Sequence, residues 1–106
     1  MEKFILIITS LSKKEDALKI STHLLKKRLT SCVQTIGPIS SSYWWEEKIE
    51  TSDEYLLLIK TKKRLYKEIE SEIKDNHPYK VPEIVSFNIK GGLHDYLNWM
   101  AKEIKS

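Results

Sequence analysis

Two segments of the sequence, residues 4–8 and 55–59, carry an apolar or aromatic side chain at each of five consecutive positions. Neighbouring residues of a strand point to opposite faces of a sheet, so a strand of this kind needs cover on both faces. Five residues are also far fewer than the roughly 20 apolar residues of a membrane-spanning helix. The two segments therefore predict two central strands of a sheet, and no membrane partner.

The sequence between these segments predicts a helix and then a strand. Ser12 and Glu15 have the spacing of a capping box, which predicts that Ser12 caps the start of a helix. That helix, residues 13–29, has an apolar stripe at helical spacing. The stripe consists of Ala17, Leu18, Ile20, Leu24, Leu25 and Leu29. A strand follows over residues 32–45, with a bend or bulge predicted at Gly37 and Pro38.

The alternation of strand and helix patterns continues to the end of the chain. Charged residues at positions 46–53 predict a turn, and residues 54–61 predict a third strand. A second helix ends at His77 and Pro78, because proline disfavours helical backbone in the residue before it. Pro82 opens a fourth strand, and a last helix follows. Its apolar side consists of Leu93, Leu97, Met100, Ala101 and Ile104.

The order of these elements is strand-helix-strand-strand-helix-strand, followed by a helix. This order predicts an α+β ferredoxin-like fold with an antiparallel sheet, whose usual strand order is 4-1-3-2. The first two helices cover one face only, so the other apolar face must meet the last helix, another subunit or both. We therefore predict an obligate oligomer. Trp99 supports it by pointing away from the apolar side of the last helix, although a lone exposed tryptophan is the alternative.

The chain of 106 residues has 18 Lys and Arg against 15 Asp and Glu, and the predicted topology separates these charges. Residues 26–28 and the group Lys62, Lys63 and Arg64 come together at one end of the sheet. Positive charge at a helix start opposes the helix dipole, which makes the second group a candidate anion site; a solvated surface is the alternative. No aromatic residue separates these cations and no nucleic-acid-binding motif is present, so we predict no nucleic-acid partner.

The opposite end of the sheet is predicted to be acidic. It collects Glu15, Asp16, Glu46, Glu47, Asp53, Glu54, Asp75 and Glu83, together with His77. Carboxylates suit hard divalent cations, and imidazole suits copper, nickel or zinc. This acidic end is therefore the candidate metal site, with His77 as its nitrogen ligand. The alternative for His77 is a hydrogen-bonded residue of a turn.

The remaining sequence signals concern location and catalysis. The single cysteine, Cys32, forms neither an internal disulfide nor a zinc site of paired cysteines, which predicts a reducing compartment and a cytoplasmic location. The sequence has no phosphate-binding glycine loop, nucleophile elbow or paired-histidine metal helix. We therefore predict a protein that is not an enzyme.

Four motifs, in order along nearly the whole chain, resemble those of the CutA divalent-cation tolerance proteins. They are S-Y-W-W-E-x-K-I-E at 42–50, L-L-I-K-T at 57–61, H-P-Y-x-V-P-E-I at 77–84 and G-x-x-x-Y-L-x-W at 92–99. The third motif is the most specific, and each of the others is weak on its own. By this resemblance, residues 1–106 form a single CutA-like domain.

The resemblance implies a tight homotrimer that is built through sheet edges and sheet faces, with an architecture similar to that of the PII signalling proteins. The positions that match the family would line an intersubunit cleft or interface, with tyrosine and tryptophan as anchors. These positions are Trp45, Lys60, Thr61, Tyr79, Pro82 and Glu83, and Trp99 joins them as an interface residue. His77 and Glu83 are the candidate metal ligands.

Three positions depart from the family pattern. Ile8 and Asn76 stand where copper-binding members are similar in having a thiol and a second histidine, so only His77 carries over. Glu47 stands at a hairpin position where the family usually has glycine. If this position requires a positive φ, a residue with a side chain costs about 1 kcal/mol there.

Two functions remain open at this point. The first is a trimeric, non-catalytic protein of divalent-cation tolerance or response, which binds copper (Cu²⁺) or other divalent cations weakly and needs no obligatory cofactor. The second is a PII-like regulatory module that binds a small anion or a partner protein in clefts between subunits.

Overall fold

A sheet of four antiparallel strands and three α-helices make up the computed structural model, which describes residues 2–106. The strands are β1 (Phe4–Leu11), β2 (Cys32–Trp45), β3 (Lys48–Lys62) and β4 (Ile84–Ile89). The helices are α1 (Lys14–Lys26), α2 (Tyr66–Asn76) and α3 (His94–Glu103), and a short 3-10 helix at Lys63–Leu65 precedes α2. The strand order β2-β3-β1-β4 confirms the α+β ferredoxin-like fold that the sequence predicts, with β1 and β3 at its centre.

One face of the sheet is covered by α1 and α2. Ile7 of β1 lies opposite Ile59 of β3, and both side chains are fully buried. Ile20 of α1 and Ile69 of α2 are equally buried and belong to the same core. Complete burial of such side chains stabilises the fold by about 1.5–3 kcal/mol each, so this layer is the stable part of the protomer.

The first helix differs from its sequence prediction in two respects. Ser12 is not the cap residue, because Lys13 occupies that position and no side chain caps the helix. Leu18 and Leu25, which the sequence places in the apolar stripe, are exposed. At about 100° per residue, both lie roughly a quarter turn or more from Leu24, which is near the centre of the buried stripe.

The last helix reaches the second face of the sheet at one end. Lys60 of β3 donates a hydrogen bond to the hydroxyl of Tyr96, with Nζ and Oη 3.1 Å apart. Met100 of α3 and Ile104, which follows the end of this helix, are buried in the main core. Leu93, which is predicted on the apolar side of this helix, is instead 74% exposed, because it is the residue before the helix and not part of its inner face.

Most of the second face is apolar and uncovered. We call it the open face, and it consists of Leu6, Ile8, Ile36, Leu56, Leu58, Val85 and Phe87. The register sets Leu6 beside Phe87, and the exposed fraction of Phe87 is 54%. The two apolar faces of the central strands are therefore as predicted, while the homotrimer expected to cover the open face stays a prediction.

Strands β2 and β3 continue past the sheet as a two-stranded arm, residues 39–54. The last pair that β1 makes with β3 is Leu11 with Tyr55, so the arm has no third strand. The register shifts between Ile36 and Ile39, which confirms the bulge predicted at Gly37 and Pro38. The predicted turn at residues 46–53 is wrong, because β3 begins at Lys48. Both faces of this part of β3 are exposed, so its residues are mostly polar. A polar segment of this kind is easily predicted as a turn.

The arm ends in a two-residue turn of strained backbone. Glu46 and Glu47 have φ values of 49° and 65°, and they are the central residues between the paired Trp45 and Lys48. Positive φ at both central residues is the mark of a type I′ turn, which favours Asn-Gly. Glu47 therefore has the positive φ that is expected at a hairpin position where the family usually has glycine.

Relief of this strain gives a testable increase in stability. We expect Glu47→Gly to raise the free energy of unfolding by about 1 kcal/mol, because glycine adopts a positive φ without steric cost. Urea unfolding at a fixed protein concentration measures the change. The matched control, Glu50→Gly within β3, is expected to lower stability. A decrease for Glu47→Gly would show that the turn is not strained.

Candidate functional site

The loop at residues 77–83 is tied to the ends of β1 and β3. We call the tied residues the acidic-end site: Ser10, Glu54, His77, Tyr79 and Glu83. The loop leaves α2 because His77 has extended backbone and Pro78 follows it. It then turns toward β4, so a short stretch of chain brings an imidazole, a phenol and a carboxylate to the acidic end.

His77 is held by both of its ring nitrogens. Nε2 lies 2.8 Å from the carbonyl oxygen of Ser10, and Nδ1 accepts a hydrogen bond from the backbone N–H of Tyr79 at 3.1 Å. Because Nδ1 accepts, the hydrogen is on Nε2, which donates to Ser10. The side chain is buried, with an exposed fraction of 8%. Burial lowers the pKa of His77, and the Ser10 carbonyl and nearby carboxylates of Glu54 and Asp16 oppose that shift only in part.

The lowered pKa of His77 predicts how stability depends on pH. The unfolded chain takes up a proton near the usual pKa of 6.5, whereas the folded chain takes it up only at a lower pH. The unfolded state therefore binds more protons between these values, so the free energy of unfolding is expected to fall as the pH drops below about 6.5. The loss is about 1.4 kcal/mol for each unit by which folding lowers the pKa.

Urea unfolding at pH 7.5 and pH 5.5 measures this loss, with His77→Gln as the comparison. Glutamine retains one donor and one acceptor but does not titrate, so its stability is expected to change less between the two values. An equal loss in both proteins would place the pH dependence elsewhere.

Tyr79 and Glu54 form the second tie. The hydroxyl of Tyr79 donates to Oε2 of Glu54 at 2.7 Å. Burial and this hydrogen bond to a carboxylate raise the pKa of Tyr79 to about 12. Glu54 itself is only 8% exposed, and no Lys, Arg or His nitrogen among residues 2–106 lies within ion-pair distance of it. A buried carboxylate with a neutral partner only is costly, so Glu54 favours an external positive charge.

The sequence did not single out Glu54 as a site residue. It predicts this glutamate only as one of the acidic-end charges. A signal was available, because Glu54 has the same strand parity as the apolar Leu56 and Leu58, so it lies on their face of the sheet. A carboxylate on the otherwise apolar face of a strand is a candidate functional residue.

Glu83 forms the third tie of the acidic-end site. It is exposed, and its Oε1 accepts a long hydrogen bond of 3.3 Å from the hydroxyl of Ser10. His77 and Glu83 therefore both contact Ser10, one through its carbonyl and the other through its hydroxyl. Residues 2–106 contain no group of three or more His, Cys, Asp or Glu placed to hold a metal ion. The prediction of His77 and Glu83 as metal ligands stays a prediction.

The structure divides the predicted interface residues into two groups. Tyr79, Pro82 and Glu83 lie in the loop of the acidic-end site, and Trp45 is an exposed residue of the arm. Lys60 lies six residues along β3 from Glu54, a distance of about 20 Å at strand geometry. One protomer therefore does not bring all of these residues into one cleft.

The other residues in the second group lie near Lys60. Thr61 is fully buried and its hydroxyl donates to the carbonyl of Leu29 at 2.6 Å. Trp99 is partly exposed and stacks at a tilt on Tyr96, with ring centroids 5.6 Å apart. Thr61 therefore supports the protomer's own chain, while Trp99 keeps a free surface.

The candidate anion site has a different role in the protomer. Lys62 is buried and its Nζ donates to the carbonyls of Ile104 and Lys105, at 3.2 and 3.1 Å. Arg64 donates to the carbonyl of Lys105 at 3.2 Å, whereas Lys63 is exposed. The sequence predicts these cations at the start of a helix, where positive charge opposes the helix dipole. The structure shows that two of them bind carbonyls that follow α3, where positive charge is favourable.

Comparisons with known proteins agree with this fold. A family model described as "CutA1 divalent ion tolerance protein" matches residues 5–103. The divalent-cation tolerance protein CutA of Archaeoglobus fulgidus is 37% identical over 91 residues, which cover 86% of this chain and 88% of that protein. The chloroplastic protein CutA 1 of rice, Oryza sativa, is 36% identical over 91% of this chain, but the chain spans only 54% of that relative's length.

Comparisons with solved structures find the same family. The crystal structure of CutA1 from Oryza sativa matches with a TM-score of 0.95 and 34% identity, over 98% of this chain and 95% of that one. CutA1 from Pyrococcus horikoshii matches with a TM-score of 0.91 and 35% identity, over 96% and 99% of the two chains. The fold is thus that of a class of small α+β proteins named for tolerance of divalent ions. The chain belongs to the CutA family.

Two further findings concern membrane-spanning helices and the name of the family. No helix within residues 2–106 is long and apolar enough to cross a membrane. The family is named for tolerance of divalent cations and not for a reaction.

Proposed function

We propose that this chain acts in divalent-cation tolerance as a homotrimer that binds copper or other divalent cations weakly at its acidic end, without catalysing a reaction. The family supports the cation role. The observation that carries the site is the carboxylate of Glu54, which is buried beside Tyr79 and has no cationic partner within residues 2–106. A cytoplasmic location, predicted from the single cysteine, is part of this proposal.

The open face supports the homotrimer. Its apolar side chains, among them Phe87 and Val85, remain accessible in the protomer. Two-stranded ribbons such as the arm are also marginally stable alone in water. A partner that covers both would therefore stabilise each protomer, and a second and third copy of the chain would supply it.

Carboxylates are the ligands that the geometry leaves free for a cation. Glu83 is exposed with one long hydrogen bond, and Glu54 has a single short one. His77 would have to give up one of its two hydrogen bonds to bind a metal. Since a protomer offers no group of three such ligands among residues 2–106, the remaining ones would come from water or from another copy.

The PII-like alternative has less support. A small anion would need free cations, and the best clustered ones, Lys62 and Arg64, are bound to carbonyls near the end of the chain. Of the three predicted anion-site residues, Lys63 alone is exposed and outside the ion pairs formed among residues 2–106.

Calorimetric titration tests the cation site and the alternative together. We expect the assembled protein to bind Cu²⁺ only weakly, because copper prefers imidazole to carboxylate, and Glu83→Gln to reduce that affinity about tenfold or more because one charged ligand is lost. The control Asp95→Asn, which removes a carboxylate from the first turn of α3, is expected to change affinity less than about twofold.

His77→Gln separates the two ligand assignments. It is expected to leave Cu²⁺ affinity within about twofold of the parent, because His77 holds the loop rather than the metal. Loss of affinity in His77→Gln but not in Glu83→Gln would contradict the carboxylate assignment. Binding of phosphate or ATP without binding of Cu²⁺ would favour the regulatory alternative.

A further inference from the structure

The arm has two faces of different character. Tyr43 and Trp45 lie on the face that carries Glu54 and continues the open face of the sheet. Trp44 and Ile49 lie on the opposite face as direct register partners. Their exposed fractions in the protomer are 72% and 66%, so the protomer leaves a large apolar surface accessible near the tip of the arm.

Three carboxylates lie on this side of the arm or in its turn. Asp53 lies on the same face as Trp44, and the turn at the tip adds Glu46 and Glu47. None of these three carboxylates takes part in an ion pair among residues 2–106. Lys48 is the nearest lysine along the chain, but it pairs with Trp45 on the opposite face. We call Trp44, Ile49, Asp53, Glu46 and Glu47 the outer arm face.

The backbone at the tip fits a role for these carboxylates. Both glutamates occupy positive φ values in a turn where Asn-Gly would be free of strain. Strain of this kind concentrates at functional positions.

We propose that the outer arm face docks a basic segment of another protein, in which lysines or arginines flank an apolar side chain. The ring of Trp44 would take a cation on its face, and Ile49 would contact the apolar side chain. Asp53 and the two glutamates would supply complementary charge. The same negative charge opposes nucleic acids and anionic lipid surfaces, so a basic protein segment is the occupant that charge complementarity selects. This surface is separate from the acidic-end cation site.

Fluorescence anisotropy tests the proposal with the full-length protein and a labelled peptide of ten residues that alternates lysine and leucine. The matched peptide alternates glutamate and leucine. We expect the lysine peptide to bind and its affinity to fall as salt is raised, while the glutamate peptide does not bind. Trp44→Ser and the double change Glu46→Gln with Glu47→Gln are each expected to weaken binding about tenfold or more.

Two control variants remove similar groups elsewhere. Val81→Ser takes away an apolar side chain that is 75% exposed and outside the arm, and Glu15→Gln takes away a carboxylate at the start of α1. Both are expected to bind the lysine peptide within about twofold of the parent. Binding of the glutamate peptide, or undiminished binding by Trp44→Ser, would overturn the proposal.

Light scattering on the same proteins tests the other occupant, a second copy of this chain. Trp44→Ser is expected to have the same molar mass as the parent. A lower mass would show that the outer arm face joins copies to one another, and the proposal would fail. That result would leave the cation site of the proposed function intact, because Cu²⁺ titration of Glu83→Gln tests it independently.

Discussion

Phe87→Glu is expected to convert the assembled protein into monomers. Phe87 lies beside Leu6 on the open face and is 54% exposed in the protomer. In the proposed homotrimer this ring would be buried against another copy. The substitution removes about 1.5–3 kcal/mol of apolar burial and adds several kcal/mol for a desolvated carboxylate, in every subunit.

Size-exclusion chromatography with light scattering measures this change. The parent is expected at three times the 12.5 kDa mass of the chain, and Phe87→Glu at a single 12.5 kDa. Leu18→Glu is the matched control, because it introduces the same charge at an exposed position of α1, which covers the opposite face of the sheet. Trimers of Phe87→Glu that resist dilution to micromolar concentration would show that the open face is not the interface.

Gly37→Ala is expected to destabilise the protein by about 2–4 kcal/mol, which is among the largest effects of a single methyl group. An added Cβ would lie 2.6 Å from Cδ2 of Tyr55 and 3.0 Å from the carbonyl oxygen of Glu54. The ring of Tyr55 packs against the core, so it has little room to move. The bulge at Gly37 therefore needs the close approach that only glycine allows.

Gly91→Ala is the natural control for this prediction. No atom of residues 2–106 beyond its chain neighbours lies within 4 Å of the Cβ that it would add, so we expect a change in the free energy of unfolding of less than about 0.5 kcal/mol. Urea unfolding of the two variants at equal protein concentration makes the comparison. Similar stabilities would mean that the chain around the bulge adapts freely, and the packing described there would be wrong.

The fold was predictable because several local signals agree with one another. The apolar runs of β1 and β3 indicate central strands, and the helical stripes around Ile20 and Ile69 indicate the layer that covers one face. The errors occur where burial is one-sided or absent. Leu18 and Leu25 have the spacing of a stripe but lie at its margin, and the exposed arm has no burial pattern to distinguish strand from turn.

The candidate site was predictable only in part. His77, Tyr79 and Glu83 come from one short segment, so their proximity follows from the sequence. Glu54 lies far along the chain, and it reaches Tyr79 because β1 pairs both with β3 and with β4, which follows the loop of Tyr79. The partners of Lys62 also depend on tertiary structure, because the carbonyls of Ile104 and Lys105 reach it from the end of the chain.

Anomalous X-ray diffraction at the copper edge, from crystals of the protein soaked in Cu²⁺, tests the central claim most directly. We expect threefold assemblies with a copper peak at the acidic end, where Glu83 or Glu54 is a ligand and His77 retains its bonds to Ser10 and Tyr79. A monomer, or a copper peak elsewhere such as at His94, would contradict the account of how this chain binds divalent cations.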